Sequence, residues 1–156
     1  MSAVPLTLGW IAGAVAGTLK GRGDTPVRDV VTDSRSMAAG DVFVALRGPR
    51  FDGHSFAAEA LARGAAGVMV EQEWAGTHAN AGDGVVGVGD TLQALQDLAH
   101  AVRDASGAKV VAITGSAGKT TTKESIAALL ATRFRVVKNK GNLNNHIGLP
   151  LSLMQL

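Results

Sequence analysis

The sequence predicts an α/β protein in two parts. A small α/β unit covers residues 1–88, and the start of a parallel-sheet unit with a phosphate-loop corner covers residues 89–156. Three observations predict it. Short runs of β-branched residues alternate with stretches of helical periodicity along the first hundred residues. "KVVAIT" (109–114) is a β-branched and small apolar run suited to a strand buried on both faces of a parallel sheet. "GSAGKTT" (115–121) follows it at once and leads into helical periodicity, the strand–loop–helix order of an anion-binding corner.

Taken in order, "LTLGWIAGAVAGTL" (6–19) places Leu8, Ile11, Val15 and Leu19 on one face of a helix, although its glycines weaken helix propensity. The run is too short to cross a bilayer and lacks the basic start of a secretory signal, so no membrane span is expected. "TPVRDVVTDSR" (25–35) reads as a strand entering a polar turn, and "GDVFVALRG" (40–48) as a short strand. "SFAAEALARGAAGVMVE" (55–71) reads as a helix stopped at Gly64 and then a buried strand. "GVVGVGD" (84–90) is another strand. Residues 91–105 form an amphipathic helix capped by Thr91, with Leu92, Leu95, Leu98 and Val102 in one stripe. Beyond the glycine loop, a helix from Lys119 carries Ile126, Leu129 and Leu130 at core spacing; "RVVK" (135–138) suits a strand, "NKGNLNNHIGLP" (139–150) a polar loop, and "LSLMQL" a helix start. The division between the units is expected at residues 88–90. Two strands in the second unit are fewer than a doubly wound sheet needs, so the chain is expected to be the opening of a longer one.

Composition narrows the function. Apolar residues make up 46% and charged residues 18%, which supports a sizeable core and excludes wholesale disorder. Fifteen basic against thirteen acidic residues leave +2, too even a balance for a nucleic-acid binder. The absence of cysteine removes disulfides and thiolate metal sites, and fits a reducing cytoplasm.

The chemistry is densest at 114–121. Gly115 and Gly118 allow backbone angles that turn main-chain N–H groups toward one anion. The helix that follows offers unpaired N–H groups and the positive end of its dipole. Lys119 adds a cation, and Thr120 a hydroxyl suited to Mg²⁺ on a nucleotide. The longer phosphate-loop consensus needs glycine at 113, where Ile113 stands, so the spacing is the shorter G-x-x-G-K-T-T. A plain glycine turn with a solvated lysine explains the pattern less well, because a cation at a helix N-terminus is unfavourable without an anion. Ser34 and Arg35 sit in one polar turn; Arg47, Gly48, Pro49, Arg50 and Phe51 form a loop with cations and a ring for a nucleotide. Asn142, Asn144 and Asn145 lie in the asparagine-rich loop. Each has a bland alternative, as turn formers or solvated loops. For "DGHSF" (52–56) the structural role is favoured, with Asp52 or Ser55 capping a helix and His54 satisfying a local backbone group.

"TGSAGKTT" (114–121) resembles the Mur ligases and their relative folylpolyglutamate synthetase. "TDSR" (32–35), "GDVFVALRGPRFDGHSFAAEALARGAAGVMV" (40–70) and "GNLNNHIGLPLSL" (141–153) extend the resemblance to Mur ligases almost end to end. His146 stands where an acidic residue is more usual in that family. The resemblance implies a cytoplasmic, monomeric, ATP- and Mg²⁺-dependent ligase of peptidoglycan synthesis, joining D-alanyl-D-alanine to UDP-N-acetylmuramoyl-tripeptide through an acyl phosphate. It implies that Lys119 and Thr120 are catalytic, with Thr120 on Mg²⁺, and that Gly115, Ser116, Ala117, Gly118 and Thr121 cradle the phosphates. It implies that Ser34, Arg35, Arg47, Gly48, Arg50, Phe51, Asn142, Asn144 and Asn145 meet the UDP substrate. It also implies a first domain for UDP, only the opening of the ATP domain, and little activity in this piece alone. Two alternatives stay open: a UDP-sugar-binding module without ligase chemistry, and a related ligase adding a different residue. A kinase or GTPase is disfavoured by the short loop.

Overall fold

The computed structural model describes residues 4–49, 51–80, 82–139 and 143–156. Its centre is a five-stranded sheet that alternation and β-branching build from the first unit. The chain enters through β1 (Leu6–Thr7) and α1 (Leu8–Ala14), where the Thr7 hydroxyl accepts the Trp10 N–H at the helix start. The helix ends one turn earlier than the sequence predicts. Ala16 takes a left-handed φ of 50°, which breaks the helical face and sends Leu19 into β2 (Thr18–Lys20). The stretch expected as one strand at 25–35 is two: β3 (Pro26–Val27) pairs with β1, and β4 (Val30–Val31) joins the main sheet.

β5 (Val42–Val44), the hairpin β6 (Arg47–Gly48) and β7 (Phe51–Asp52), a 3₁₀ turn over Gly53–Phe56, α2 (Ala57–Ala62), β8 (Gly67–Glu71), α3 (Gln72–His78) and β9 (Val85–Val88) follow. The sheet order is β2-β9-β8-β5-β4, with β4, β5, β8 and β9 parallel and β2 antiparallel on the edge. The period-two rule sets the two cores. Val42, Val44, Met69 and Val86 point to one face and bury against Leu8 and Ile11 of α1; Phe43, Val68, Val70 and Val85 point to the other, under Ala57 and Ala60 of α2 and Ala75 of α3. Burial on both faces is why these strands read as continuous apolar runs.

α4 (Thr91–Ser106) lies on the α1 side, its Leu95, Leu98 and Val102 fully buried with the sheet's first core, and α6 (Gly148–Leu153) packs along it. The division expected at 88–90 therefore falls just ahead of a helix whose apolar stripe is shared with the sheet. Its cap is Asp90, whose carboxylate accepts the Gln93 N–H at 2.8 Å; Thr91, the expected cap, is buried, and its hydroxyl donates to the Ala45 carbonyl at 2.9 Å. Gly107, at φ 64°, closes the helix.

The second unit differs more from expectation. α5 (Lys119–Ala131) forms, but residues 109–114 and 135–138 carry no strand pairing, and Val110 and Val111 are exposed. Leu129, expected in a core, is 71% exposed, and only Ala127 of α5 is buried. A strand needs a neighbour for its N–H and C=O groups, and among the described residues nothing pairs with either run.

Truncating Leu98 to alanine is expected to cost about 3 kcal/mol of stability, the usual size for a buried leucine. Urea unfolding followed on the sheet's circular-dichroism signal measures it. An unchanged midpoint would mean that α4 folds apart from the sheet.

Candidate functional site

Parallel strands send their carboxyl ends to one side of the sheet, where ligands of such folds collect. The turn holding Ser34 and Arg35 follows β4, and the hairpin holding Arg47, Gly48 and Phe51 follows β5, so the sheet places these two predicted segments at the ends of adjacent strands. Arg50 lies outside the described residues.

The turn is closed by its own charges. Arg35 binds the Asp33 carboxylate with Nε at 2.9 Å and Nη2 at 2.7 Å, and the Arg35 N–H donates to it at 3.0 Å. The Arg35 side-chain bond, and then that backbone bond, hold the Asp33 carboxyl down at about 2. Arg63, at the end of α2, donates to the Ser34 carbonyl at 2.7 Å and braces the turn from behind.

The hairpin is fixed by a ring of polar contacts. Arg47 donates from Nε to Asp52 at 3.1 Å and meets Glu71 at 3.0 Å through Nη1. Asp52 accepts the His54 N–H at 3.0 Å and contacts His54 Nδ1 at 2.6 Å, while His54 Nε2 accepts the Glu71 N–H at 2.9 Å. His54 is structural, as predicted, but the backbone group it satisfies is not a local one: it is the N–H of Glu71, seventeen residues on. The backbone bond from His54, with the side-chain bonds from His54 and Arg47, holds the Asp52 carboxyl at about 2 against the pull of burial. Phe51 stands 61% exposed, its ring packed over Gly48. Gly53 makes the hairpin's return possible, since its N–H donates to the Leu46 carbonyl at 2.9 Å and a Cβ there would lie 2.7 Å from that oxygen.

The glycine corner is open. Gly115 takes φ 146° and Gly118 φ 76°, and a Cβ on Gly118 would meet nothing within 4 Å. Gly118 is the N-cap of α5 and no side chain caps that end, so the first amides of a thirteen-residue helix are left for another partner. Lys119 folds back to donate to the Gly115 carbonyl. Ser116, Ala117, Thr120 and Thr121 are all exposed around the same turn. The residues present suit a polyphosphate: bare amides, a cation and hydroxyls, with no side chain filling the turn.

The asparagine loop lands beside α4. Asn144 and Asn145 line a cleft of about 380 Å³ with Gln96, His100, Arg103 and Leu149. Asn145 Oδ1 accepts the Gly148 N–H at 2.7 Å where α6 begins, while Gln96 donates to the His146 carbonyl at 3.1 Å. Asn142 lies outside the described residues. Among the described residues no hydrogen bond joins the glycine loop to the two sheet-edge loops or to Asn144 and Asn145. Glu71 and Arg63 escaped the sequence reading. Glu71, a lone charge ending the apolar run "GVMVE", carried a usable signal, whereas Arg63 looked like any surface arginine.

Two family models match the chain: Mur ligase family, catalytic domain, over residues 26–103, and Mur ligase middle domain over residues 113–156. The UDP-N-acetylmuramoyl-tripeptide–D-alanyl-D-alanine ligase of Bacillus subtilis is 44% identical over 148 residues, 94% of this chain and 32% of that protein. The enzyme of the same name from Escherichia coli is 39% identical over 153 residues, 98% of this chain and 32% of the relative. The chain thus spans about a third of the length of these relatives. A crystal structure of MurF from Acinetobacter baumannii superposes with a TM-score of 0.86 at 36% identity, over 100% of this chain and 34% of that one. MurF ligase from Thermotoga maritima in complex with ADP superposes with a TM-score of 0.69 at 40% identity, over 83% of this chain and 29% of that one. The mixed α/β fold with its parallel sheet agrees with them.

Two outcomes follow for the hairpin. Gly53→Ala is expected to lose about 2 kcal/mol, because the obstructing atoms are backbone and cannot turn aside. Urea unfolding reads this. The carboxyl carbon of Asp52, followed by NMR, is expected to titrate near pH 2. Its folded value lies below the ordinary 3.8, so its contribution is complete above about pH 4 and lost as pH falls toward 2, with faster exchange of the Gly53 and His54 amides.

Proposed function

This chain belongs to the Mur ligase family, and from that premise we propose that it is part of an ATP-dependent ligase that joins D-alanyl-D-alanine to UDP-N-acetylmuramoyl-tripeptide in peptidoglycan precursor synthesis. The observation that carries the reading is the uncapped start of α5, opened by Gly118 and overhung by Lys119. The curated relatives with that named activity, 44% and 39% identical, support the choice of substrates. The ADP bound to the Thermotoga maritima protein supports a nucleotide in this family's site.

The difficulty of the reaction is that a carboxylate resists attack by an amine. ATP, when bound, would supply the phosphoryl group that turns the tripeptide's carboxylate into an acyl phosphate, with ADP as the leaving group; the dipeptide amine would then attack the acyl carbon and phosphate would depart. The residues of this chain act by position and charge. The amides of Gly115 through Thr121 hold phosphate oxygens. The Lys119 ammonium exchanges the Gly115 carbonyl for those oxygens and offsets their charge. Thr120 is the residue that would hold Mg²⁺. Ser34 and Arg35, with Arg47, Gly48, Arg50 and Phe51, take the UDP end; Asn144 and Asn145 meet the substrate from the α4 side, and Asn142 meets it too. The UDP unit, residues 1–88 in the sequence reading, carries α4 with it, and we place the join to the ATP unit at Gly107. Among the described residues no helix is long and apolar enough to cross a membrane. On the family resemblance alone we assign the ligase to the cytoplasm as a monomer.

A second reading, a UDP-binding module without ligase chemistry, is favoured by the sheet's two closed cores beside an almost unburied α5. The tests separate the two. A longer polypeptide carrying this segment, given ATP, Mg²⁺, the tripeptide nucleotide and D-alanyl-D-alanine, is expected to release phosphate in step with amide, and Lys119→Ala to lower kcat on the order of 10²–10³-fold. The 156-residue chain alone is expected to release almost none. A silent Lys119→Ala contradicts the ligase assignment, and robust turnover by the short chain contradicts the expectation that parts essential to the reaction lie outside it. UDP binding that survives in a chain ending at Gly107, with no ATP-dependent turnover in the longer one, leaves the module.

A further inference from the structure

The polar ring behind the β6–β7 hairpin gives its buried histidine work beyond packing. His54 is only 5% exposed, and both ring nitrogens are used. Because Nε2 accepts the Glu71 N–H, the ring proton sits on Nδ1, which donates to Asp52 Oδ1. That oxygen also takes the His54 N–H, so Asp52 is held with Oδ2 turned to Arg47 Nε. Glu71 takes Arg47 Nη1. Arg47 Nη2 has no partner among the described residues, on a side chain 57% exposed. One donor edge of the guanidinium is thus aimed outward, with the exposed Phe51 ring in the same hairpin.

The charge around that edge chooses its partner. Asp52 and Glu71 both contact Arg47, and Glu73 adds a third carboxylate whose charge it feels. One cation among three carboxylates does not draw an anion, so the free N–H suits a neutral acceptor beside a flat ring. We propose that His54 is a positioning residue which, through Asp52, fixes Arg47 to donate to the uracil or ribose of a uridine nucleotide rather than to its phosphates. This rests on the reading of the sheet edge as the UDP end, and adds to it which part of the nucleotide the hairpin reads and what sets the hairpin's geometry.

Calorimetric titration of the whole chain with UDP tests it, at low and at high salt. His54→Gln keeps an acceptor for the Glu71 N–H but loses the donor to Asp52, and is expected to weaken UDP about tenfold, the size of one charge-assisted hydrogen bond. The weakening is expected to be equal at both salt concentrations, since a contact to a neutral group is not screened. His54→Asn, which places an amide N–H where Nδ1 was, is expected to bind like the parent chain. In an Arg47→Gln background, His54→Gln is expected to add nothing further. Histidine ring-nitrogen shifts of the unaltered chain, expected to show the proton on Nδ1, check the tautomer without any variant. A loss that fades at high salt, a loss that persists in the Arg47→Gln background, UDP binding untouched by His54→Gln, or a proton on Nε2 overturns the proposal and leaves the UDP reading standing. No UDP binding by the unaltered chain removes the UDP reading itself, and this inference with it.

Discussion

Everything at the sheet edge depends on four strands running the same way. β4, β5, β8 and β9 are parallel, so the loops that leave them emerge on one side, and residues far apart in sequence become neighbours there. That arrangement needs each strand buried on both faces, which the two helix layers supply: α1 and α4 on one side, α2 and α3 on the other. α4 thus supports the sheet edge as much as the strands do, because without it α1 alone would cover that face of the sheet.

At that edge, charge is managed by pairing rather than by accumulation. Arg35 is spent on Asp33, and Arg47 on Asp52 and Glu71. These pairs are partly exposed, so their worth lies in geometry more than in stability. A guanidinium held at two of its nitrogens presents the third in a fixed direction, whereas a free arginine must lose its rotamer freedom on binding. The glycine corner works differently. There the positive character comes from the helix end and one ammonium, no carboxylate contacts the loop among the described residues, and a polyanion is the natural partner.

Local signals were legible in the sequence and distant ones were not. The glycine spacing announced the corner because a left-handed turn and a helix start are properties of a few adjacent residues. The apolar runs 42–44, 67–71 and 85–88 announced strands because burial on both faces imposes their composition. What stayed hidden was set by contacts across the fold. The reach of the Thr91 hydroxyl to Ala45, forty-six residues away, is invisible to a capping rule, and so the cap moved to Asp90. Arg63 bracing Ser34 and Glu71 closing on Arg47 depend on strand order, which no single stretch encodes. "DGHSF" was readable as a structural block, but not as a block that steers an arginine.

The second unit shows why the corner forms where its sheet does not. The turn at Gly115 and Gly118, the Lys119 contact and the first bonds of α5 all lie within a few residues, so they need nothing from elsewhere. Residues 109–114 have the right composition for a central strand, yet composition alone supplies no hydrogen-bond partner, and Val111 stays 59% exposed. Propensity for a strand is a statement about a pleated, covered surface, and it is realised only where the rest of that surface is present. The glycine corner is therefore the local part of an arrangement whose rigidity is tertiary. Its amides are arranged here, but the strand that should hold them at fixed depth is not yet anchored. Positional catalysis of the kind proposed demands such anchoring, since a misplacement of about 1 Å costs on the order of a hundredfold in rate.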